Sequence, residues 1–436
     1  MNAFDKIIGY ASIKNELRQI SDTLKSRESY DKLGVSAPRG LLLYGEPGVG
    51  KSLMASAVIE DSGRRVFCCR KDSPDGLFVN KIKETFEEAM RNAPSIVFLD
   101  DMDKFANSDE GHPDTDEYVT VQSCIDEAKR KQVFVLATAN NVRTLPRSLR
   151  RAGRFDRMIE VEAPRGQDAV NIIAHYLKSK HFTDEADPKM IARIMDVRSC
   201  AELETVINEA GLYAGCERME TITMEHFMKA CLRLIFHVSP DVETGLKSSD
   251  ISFLSDPNSV MAQLVYHEAG HAVISEALCP ESVTLTFVRN RSGDHEGFTS
   301  YWNDESKAPL YWQKSRIIST LGGVAALDQK YGISDTGDKW DIDQAFDMAR
   351  NLVVNTCING LYLHQSRFEN SQQSLYEQEW VVSAEIEKYY RKAKEVLSLN
   401  QDFFEKIAAS LAQRKLLTMA DIQKIKGSCK IVPVAI

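Results

Sequence analysis

The segment HEAGH at residues 267–271 has the residue types and spacing of a catalytic zinc site. Residues four apart share one face of an α-helix, so His267 and His271 can both present imidazole nitrogens to one metal ion. Glu268 lies one position further round the helix, where it can take a proton from the attacking water without being a ligand. The segment predicts a zinc hydrolase, and a pair of surface histidines is the alternative interpretation.

The zinc segment needs a helix, and its flanks support one. Asn258 and Ser259 are good N-terminal caps, and Pro280 is a stop signal. A catalytic zinc ion also needs a third protein ligand. His295 and His364 are isolated, which favours a carboxylate. A later segment holds four acids that spacing alone does not separate: Asp338, Asp341, Asp343 and Asp347.

A second chemical motif fits the phosphate-binding pattern GxxxxGK[ST]. It follows the apolar run 41–44 and opens a helical pattern, which is the context that such a loop requires. Backbone N–H groups would surround the phosphates, Lys51 would reach the β and γ oxygens, and Ser52 would bind Mg²⁺. A glycine-rich turn with an incidental lysine is the alternative. The motif residues are Gly45, Glu46, Pro47, Gly48, Val49, Gly50, Lys51 and Ser52.

Two carboxylates follow another apolar run, 96–99, which predicts a buried strand. Asp100 would hold the Mg²⁺ shell, and Asp101 would orient or activate the attacking water. If the phosphate loop were absent, the simpler interpretation would be that the two acids only begin a solvent-exposed loop after the strand.

The elements that position these residues predict an α/β nucleotide-binding domain joined to a mainly helical domain. Short apolar runs alternate with helical patterns through residues 1–163, which indicates a parallel, doubly wound sheet. Residues 164–238 read as a small helical lid. Residues 239–258, with dispersed proline and glycine, read as a linker, and residues 259–436 as a mostly helical zinc-binding domain.

Composition and charge are those of an ordinary globular chain of 436 residues, with 43% hydrophobic and 27% charged residues. The net charge is -9, and the acidic and basic residues are interspersed, which argues against a nucleic-acid-binding surface. Nine scattered cysteines without CxxC spacing favour a reducing compartment. Neither a signal peptide nor a membrane span is visible, so we expect a cytoplasmic protein. Recruitment to a membrane by a partner, or loss of an anchor, stays open.

The nucleotide motifs resemble those of the AAA+ ATPases. Residues 4–9 look like the segment that lies against adenine, which implies a role for Ile8 and Gly9. Asn140 stands where that family has its polar γ-phosphate sensor. The segment 151–157 resembles the arginine-finger motif, with Arg154 the first candidate and Arg157 the second. Since such fingers act across subunit boundaries, the resemblance implies a ring, usually a hexamer.

Residues 4–422 as a whole resemble the FtsH family of AAA+ zinc proteases without its N-terminal membrane spans. The segment 266–273 matches the zinc helix, and Gly322-Gly323 match the paired glycines of the family. Thr336-Gly337, followed by Asp341 and Ala345, match the segment with the third ligand. The resemblance therefore implies Asp341 as the third zinc ligand.

Three departures from the family pattern affect the site. Asp101 replaces the usual glutamate and is one methylene shorter. The aromatic residue that grips substrate in the pore is missing from Pro74-Asp75-Gly76, which leaves Phe78 either as a substitute or as a core residue. An acidic pair expected after the paired glycines is reduced to Asp328.

These patterns predict an ATP-dependent zinc metalloendopeptidase that unfolds protein substrates, threads them through a homo-oligomeric ring and cleaves them. Zn²⁺, ATP and Mg²⁺ are the implied cofactors. The segment 297–302 is the candidate strand edge on which a substrate would pair. Two alternatives stay open. The first is a peptidase whose degenerate ATPase serves as an assembly scaffold, and the second is a remodelling ATPase without proteolytic activity.

Overall fold

A computed structural model gives the fold of residues 2–34, 38–71, 77–106, 115–129, 131–151, 153–183, 186–238, 251–291, 294–302, 309–333, 339–364 and 372–436. The chain divides into two compact units, Met1–Val238 and Ser239–Ile436. We describe each by itself. Among the described residues, no helix combines the length and apolar character needed to cross a bilayer.

The first unit is an α/β domain followed by four helices. Its elements, in chain order, are α1 (Ala11–Lys25), α2 (Arg27–Asp31), β1 (Gly40–Tyr44), α3 (Lys51–Ser62), β2 (Arg65–Cys69), α4 (Phe78–Arg91), β3 (Ser95–Leu99), α5 (Asp116–Ala128), β4 (Val133–Ala139), β5 (Arg157–Glu160), α6 (Gly166–Leu177), α7 (Pro188–Ile194), α8 (Cys200–Cys216) and α9 (Met224–Leu234).

The sheet of the first unit is parallel, with strand order β2-β3-β4-β1-β5. β1 and β4 are almost fully buried because helices cover both faces, which explains why their sequences are continuous apolar runs. β1, β3 and β4 are neighbours, so the residues that follow them meet at one edge of the sheet. The predicted α/β fold is therefore confirmed.

The four helices after the sheet, α6–α9, pack on one another through their apolar faces. Ser199 caps α8 reciprocally with Glu202, and Thr223 caps α9, which explains where these two helices begin. The backbone N–H of Ala201, at the start of α8, donates to the carbonyl of Gly48 in the loop after β1 (3.1 Å). α8 thus fixes one side of the phosphate-loop region.

The second unit is mostly helical. Its elements are α10 (Val260–Leu278), β6 (Val283–Arg291), β7 (Asp294–Tyr301), α11 (Pro309–Thr320), α12 (Gly322–Tyr331), α13 (Lys339–Arg350), α14 (Gln372–Leu399), α15 (Gln401–Arg414), β8 (Leu416–Thr418) and α16 (Met419–Gly427). The mainly helical character expected for this part of the chain is confirmed.

α10 is the central helix of the second unit. The side-chain hydroxyl of Ser259 accepts from the N–H of Ala262 and begins α10, as its sequence predicts. α10 is buried on nearly every face, by α11, α12, α14, α15 and a small antiparallel sheet of order β7-β6-β8. In that sheet, β7 is an edge strand. The short strand β8 pairs with β6 and was not predicted from the sequence.

Candidate functional site

The loop between β1 and α3 lines a cavity of about 580 Å³. Residues 47–52 line it, while the carbonyls of Gly45 and Glu46 both accept hydrogen bonds from the Lys51 ammonium at 2.7 Å. Burial lowers the pKa of Lys51, although the carboxylates of Asp103, Asp101 and Asp100 oppose that shift. The loop therefore folds around its own lysine and points it at the cavity.

Gly48 has a specific reason to be glycine. Its φ is +79°, and a Cβ would lie 2.7 Å from the Cβ of Ala201 at the start of α8. A side chain at this position would push α8 away from the phosphate loop. The close contact brings two residues of α8, Cys200 and Ala201, into the wall of the cavity.

Hydrogen bonds from the end of β4 hold the segment with the carboxylates after β3 in place. The hydroxyl of Thr138 donates to Asp100 (2.8 Å) and accepts from the backbone N–H of Asp101 (2.9 Å). Asp101 has a left-handed backbone, with φ of +53°, and its side chain lines the cavity. Asn140 also lines it and donates its backbone N–H to Asp103 (2.9 Å).

Another side of the cavity is formed by the chain's N-terminal segment and by helices α6 and α8. Ile8 lines the cavity, but Gly9 does not appear in its wall and packs against Asp168 instead. The remaining lining residues on this side, which the sequence did not indicate, are Tyr10, Ile172, His175, Tyr176, Cys200, Ala201 and Glu204.

Arg154 and Arg157 have different surroundings. The guanidinium of Arg154 donates to Asp126 (2.8 Å), to the side chain of Gln122 (3.0 Å) and to the carbonyl of Ser148 (2.7 Å). These contacts hold the Arg154 side chain in one orientation, with 19% of it exposed. The hydrogen bond from Arg154 is the main reason why the pKa of Asp126 falls to about 2. Arg157 is exposed at the start of β5.

Phe78 packs in the core. It is 5% exposed at the start of α4 and makes an edge-to-face contact with Phe105, with ring centroids 4.7 Å apart. Of the two interpretations of Phe78, the structure favours the core residue. Leu77 is 63% exposed beside it, and Pro74-Asp75-Gly76 lie outside the described residues.

In the second unit, α10 and α13 bring together the two histidines and one of the four competing acids. Asp341 Oδ2 lies 2.9 Å from His267 Nε2 and 3.1 Å from His271 Nε2, and the two Nε2 atoms are 3.0 Å apart. Asp343 is exposed, Asp347 pairs with Arg350, and Asp338 lies outside the described residues.

These donors fit a zinc ion. Tetrahedral Zn²⁺ with ligand bonds of about 2.0 Å separates its donor atoms by about 3.3 Å, close to the observed spacing. His271 Nδ1 donates to the carbonyl of Ser319 (2.7 Å), which leaves Nε2 free to bind a metal. Burial alone would raise the pKa of Asp341, but hydrogen bonds from the two histidines outweigh burial and lower it. The acid is therefore ionised, as a ligand must be.

Glu268 is held between the histidines and β7. It is 4% exposed, and its Oε2 accepts a 2.7 Å hydrogen bond from the hydroxyl of Thr299. Burial raises the pKa of Glu268, and the two histidines and Thr299 oppose this shift. Because Thr299 belongs to β7, the predicted catalytic carboxylate lies beside an edge strand that covers most of the segment 297–302.

Asp328 lies on α12 but engages α14. Its carboxylate accepts from the hydroxyl of Tyr390 (2.5 Å) and from the ammonium of Lys394 (2.7 Å). The hydrogen bond from Lys394 is the main reason why its pKa is lowered. These contacts give Asp328 a role in helix packing rather than in support of the metal ligands.

Sequence reasoning missed three residues that contact the predicted catalytic groups, namely Thr299, Ser319 and Lys104. They contact Glu268, His271 and Asp101 respectively. Thr299 and Ser319 lie 31 and 48 residues from their partners, so no local pattern marks them. Lys104 follows the acidic segment directly, and its charge there was an available signal.

Fold and site together define a AAA-type ATPase unit joined to a zinc-peptidase unit. Two family models match the chain. The ATPase family associated with various cellular activities (AAA) matches residues 41–163, and peptidase family M41 matches residues 259–425. The chain belongs to the FtsH family of AAA+ zinc metalloproteases, as the resemblance implied.

Several proteins are similar to this chain along nearly its whole length. An ATP-dependent zinc metalloprotease FtsH of Caldicellulosiruptor bescii is 28% identical, covering 97% of this chain and 71% of the relative. The ATP-dependent zinc metalloprotease FtsH of Mycoplasma pneumoniae is 28% identical, covering 99% of this chain and 63% of the relative. FtsH 1 of Thermoanaerobacter sp. is 29% identical, covering 97% of this chain and 72% of the relative. The chain thus spans about two thirds of the length of these relatives.

Proposed function

We propose that this chain is an ATP-dependent zinc metalloendopeptidase that unfolds protein substrates and cleaves them. The observation that carries the proposal is the arrangement of Glu268, which is buried beside two converging histidines and hydrogen-bonded to an edge strand. A purely structural zinc site would need four protein ligands and no buried carboxylate of this kind. The nucleotide cavity of the first unit supports ATP, bound with Mg²⁺, as the energy source.

In the peptidase site, His267, His271 and Asp341 would hold the zinc ion. When bound, zinc supplies Lewis-acid polarisation of the scissile carbonyl. An extended substrate would pair with β7, the outer strand of the described sheet, which places its backbone beside Glu268. Glu268 would take a proton from the attacking water and pass it to the leaving amine, while Thr299 keeps the carboxylate in place.

In the ATPase site, residues 45–52 would hold the phosphates, with Ser52 and Asp100 on the Mg²⁺ side. Asp101 would orient the attacking water, and Asn140 would sense the γ-phosphate. Ile8, with Gly9 shaping the turn beside it, would contact the adenine. The substrate-gripping residue of the pore stays unassigned.

The main test measures degradation of an unstructured protein such as casein by the zinc-loaded chain, with ATP, with a non-hydrolysable analogue and with neither. We expect cleavage that requires ATP and is lost in Glu268→Gln. Glu387→Gln, an exposed change on α14, is the matched control and should retain activity. Cleavage indifferent to nucleotide would favour the scaffolded peptidase. Intact ATPase activity without cleavage would favour a remodelling ATPase.

We further propose a homo-oligomeric ring, a hexamer by the family pattern, in which Arg154 or Arg157 acts on the neighbouring subunit's ATP. Arg154→Ala and Lys51→Ala should each abolish hydrolysis. A mixture of the two should recover part of it, because an intact phosphate loop can then meet an intact arginine. If ATP hydrolysis does not recover when Arg154→Ala is mixed with Lys51→Ala, but does recover when Arg157→Ala is mixed with Lys51→Ala, the arginine finger is reassigned to Arg157. No recovery in either mixture would contradict action across subunits.

A further inference from the structure

Two of the carboxylates that follow β3 face cations from their own chain. Lys104 Nζ lies 2.7 Å from Asp101 Oδ2, and Arg70 Nη1 lies 3.8 Å from Asp100 Oδ2. Lys104 differs from Arg70 in that its side chain lines the nucleotide cavity, together with Lys51 and Asp101. A second lysine therefore stands beside the predicted catalytic base.

The backbone brings Lys104 and Asp101 together. A 3₁₀ turn, Met102–Lys104, follows β3, and the N–H of Lys104 donates to the carbonyl of Asp101 (2.9 Å). The left-handed conformation of Asp101 turns the chain so that both side chains reach the cavity wall. This strain at a non-glycine residue is typical of functional segments.

The ion pair contributes little to folding. The Lys104 side chain is 60% exposed and that of Asp101 is 22% exposed, and such pairs have small stabilising energies in water. The hydrogen bond and the charge of Asp101 raise the pKa of Lys104, so its ammonium is charged at neutral pH. A charged, exposed ammonium on a long flexible stem can change partners at small cost.

A bound triphosphate changes the competition for this ammonium. A γ-phosphate carries more negative charge than one carboxylate, and ammonium–phosphate contacts are among the strong hydrogen bonds. Lys104 donates to Asp101 Oδ2, so its ammonium competes with the attacking water for the lone pairs of that oxygen. Lys51, in contrast, donates to two backbone carbonyls of the loop, those of Gly45 and Glu46, and not to a carboxylate.

We propose that Lys104 is a γ-phosphate ligand supplied by the same subunit, which Asp101 holds in the nucleotide-free state and which the triphosphate draws away. Its transfer frees the Asp101 carboxylate for the attacking water. Lys104 thereby distinguishes triphosphate from diphosphate. This inference rests on the proposed ATPase function.

The experiment measures binding of ADP and of the β,γ-imido analogue of ATP, each with Mg²⁺, to the full chain by isothermal titration calorimetry. We expect Lys104→Met to weaken the imido analogue relative to ADP by about tenfold, the loss of one charge-assisted contact. Lys104→Arg should retain most of the preference. Lys25→Met removes a lysine–carboxylate pair of similar length, with Asp61, and should change neither affinity.

Each outcome decides one point. Loss of the triphosphate preference in Lys104→Met, with retention in Lys104→Arg, supports the inference. If the affinities of Lys104→Met for both nucleotides match those of the wild type, or fall by the same factor, the inference is overturned and the ATPase proposal stays intact. A wild-type chain that binds neither nucleotide overturns the ATPase proposal itself. Because Lys104 is exposed, a thermal unfolding curve should match that of the wild type.

Discussion

Gly323 on α12 lies against the imidazole ring of His267 on α10, so close that a Cβ there would overlap three of the ring atoms. The paired glycines thus have a physical role, because they let α12 approach the zinc helix and fix the orientation of His267. The neighbouring contact of Gly322 with the backbone of Gly270 belongs to the same helix crossing.

Gly323→Ala should therefore weaken zinc binding by about 10- to 100-fold, since the ring of His267 must turn away from the other donors. Zinc affinity can be measured by competition with a chromophoric chelator. Gly427→Ala, at a glycine with no atoms near the added Cβ, is the control. Unchanged zinc affinity in Gly323→Ala would show that α12 can move to accept the methyl group.

Thr299→Val should lower kcat for cleavage of an unstructured peptide by about tenfold or more while KM stays similar. The hydroxyl of Thr299 holds the buried Glu268 carboxylate, and removing it leaves that carboxylate with one fewer hydrogen bond. Thr299→Ser keeps the hydroxyl and should restore most of kcat. A loss of equal size in Thr299→Ser would mean that the methyl group, and so packing, is what matters.

Asp101→Glu should raise the rate of ATP hydrolysis several-fold, because the longer side chain reaches further toward the attacking water. Asp101→Asn should lower it by about 100-fold or more, the size expected for loss of a general base. Steady-state phosphate release measures both. Asp116→Glu, an exposed change in the first turn of α5, is the control. Hydrolysis that survives in Asp101→Asn would exclude Asp101 as the base.

Lys426→Met should lower the free energy of unfolding of the second unit by about 3 kcal/mol. The ammonium of Lys426 binds the carboxylate of Glu276 (2.9 Å), which is fully buried on α10 and would lose its charged partner. The chain's four tryptophans all lie in this unit, so tryptophan fluorescence in urea follows its unfolding.

The control for this stability measurement is Lys424→Met, which changes an exposed lysine of the same helix. The two variants should differ in the urea midpoint and share the same slope. Equal midpoints would indicate that Gln423, which also donates to Glu276, compensates for the lost ammonium.

Local patterns in the sequence predicted much of this protein. The two motifs, the strand runs before them and the cap of α10 each depend on neighbours within a few residues. The periods of helix and strand determine such neighbours directly. The confirmed fold class and the family follow from these patterns and from the order of the domains.

Tertiary structure decided the rest of both sites. Spacing alone could not show which of the four acids near residue 341 is the third zinc ligand, and the resemblance to the family singled out Asp341. In the folded chain α13 brings its carboxylate to His267 and His271, which are 74 and 70 residues away. Thr299, Ser319 and Gly323 reach the zinc helix from β7, α11 and α12, and the core placement of Phe78 depends on Phe105. The physical reason is that a side chain's chemistry is local, whereas its partners are set by which elements pack together to bury their apolar faces.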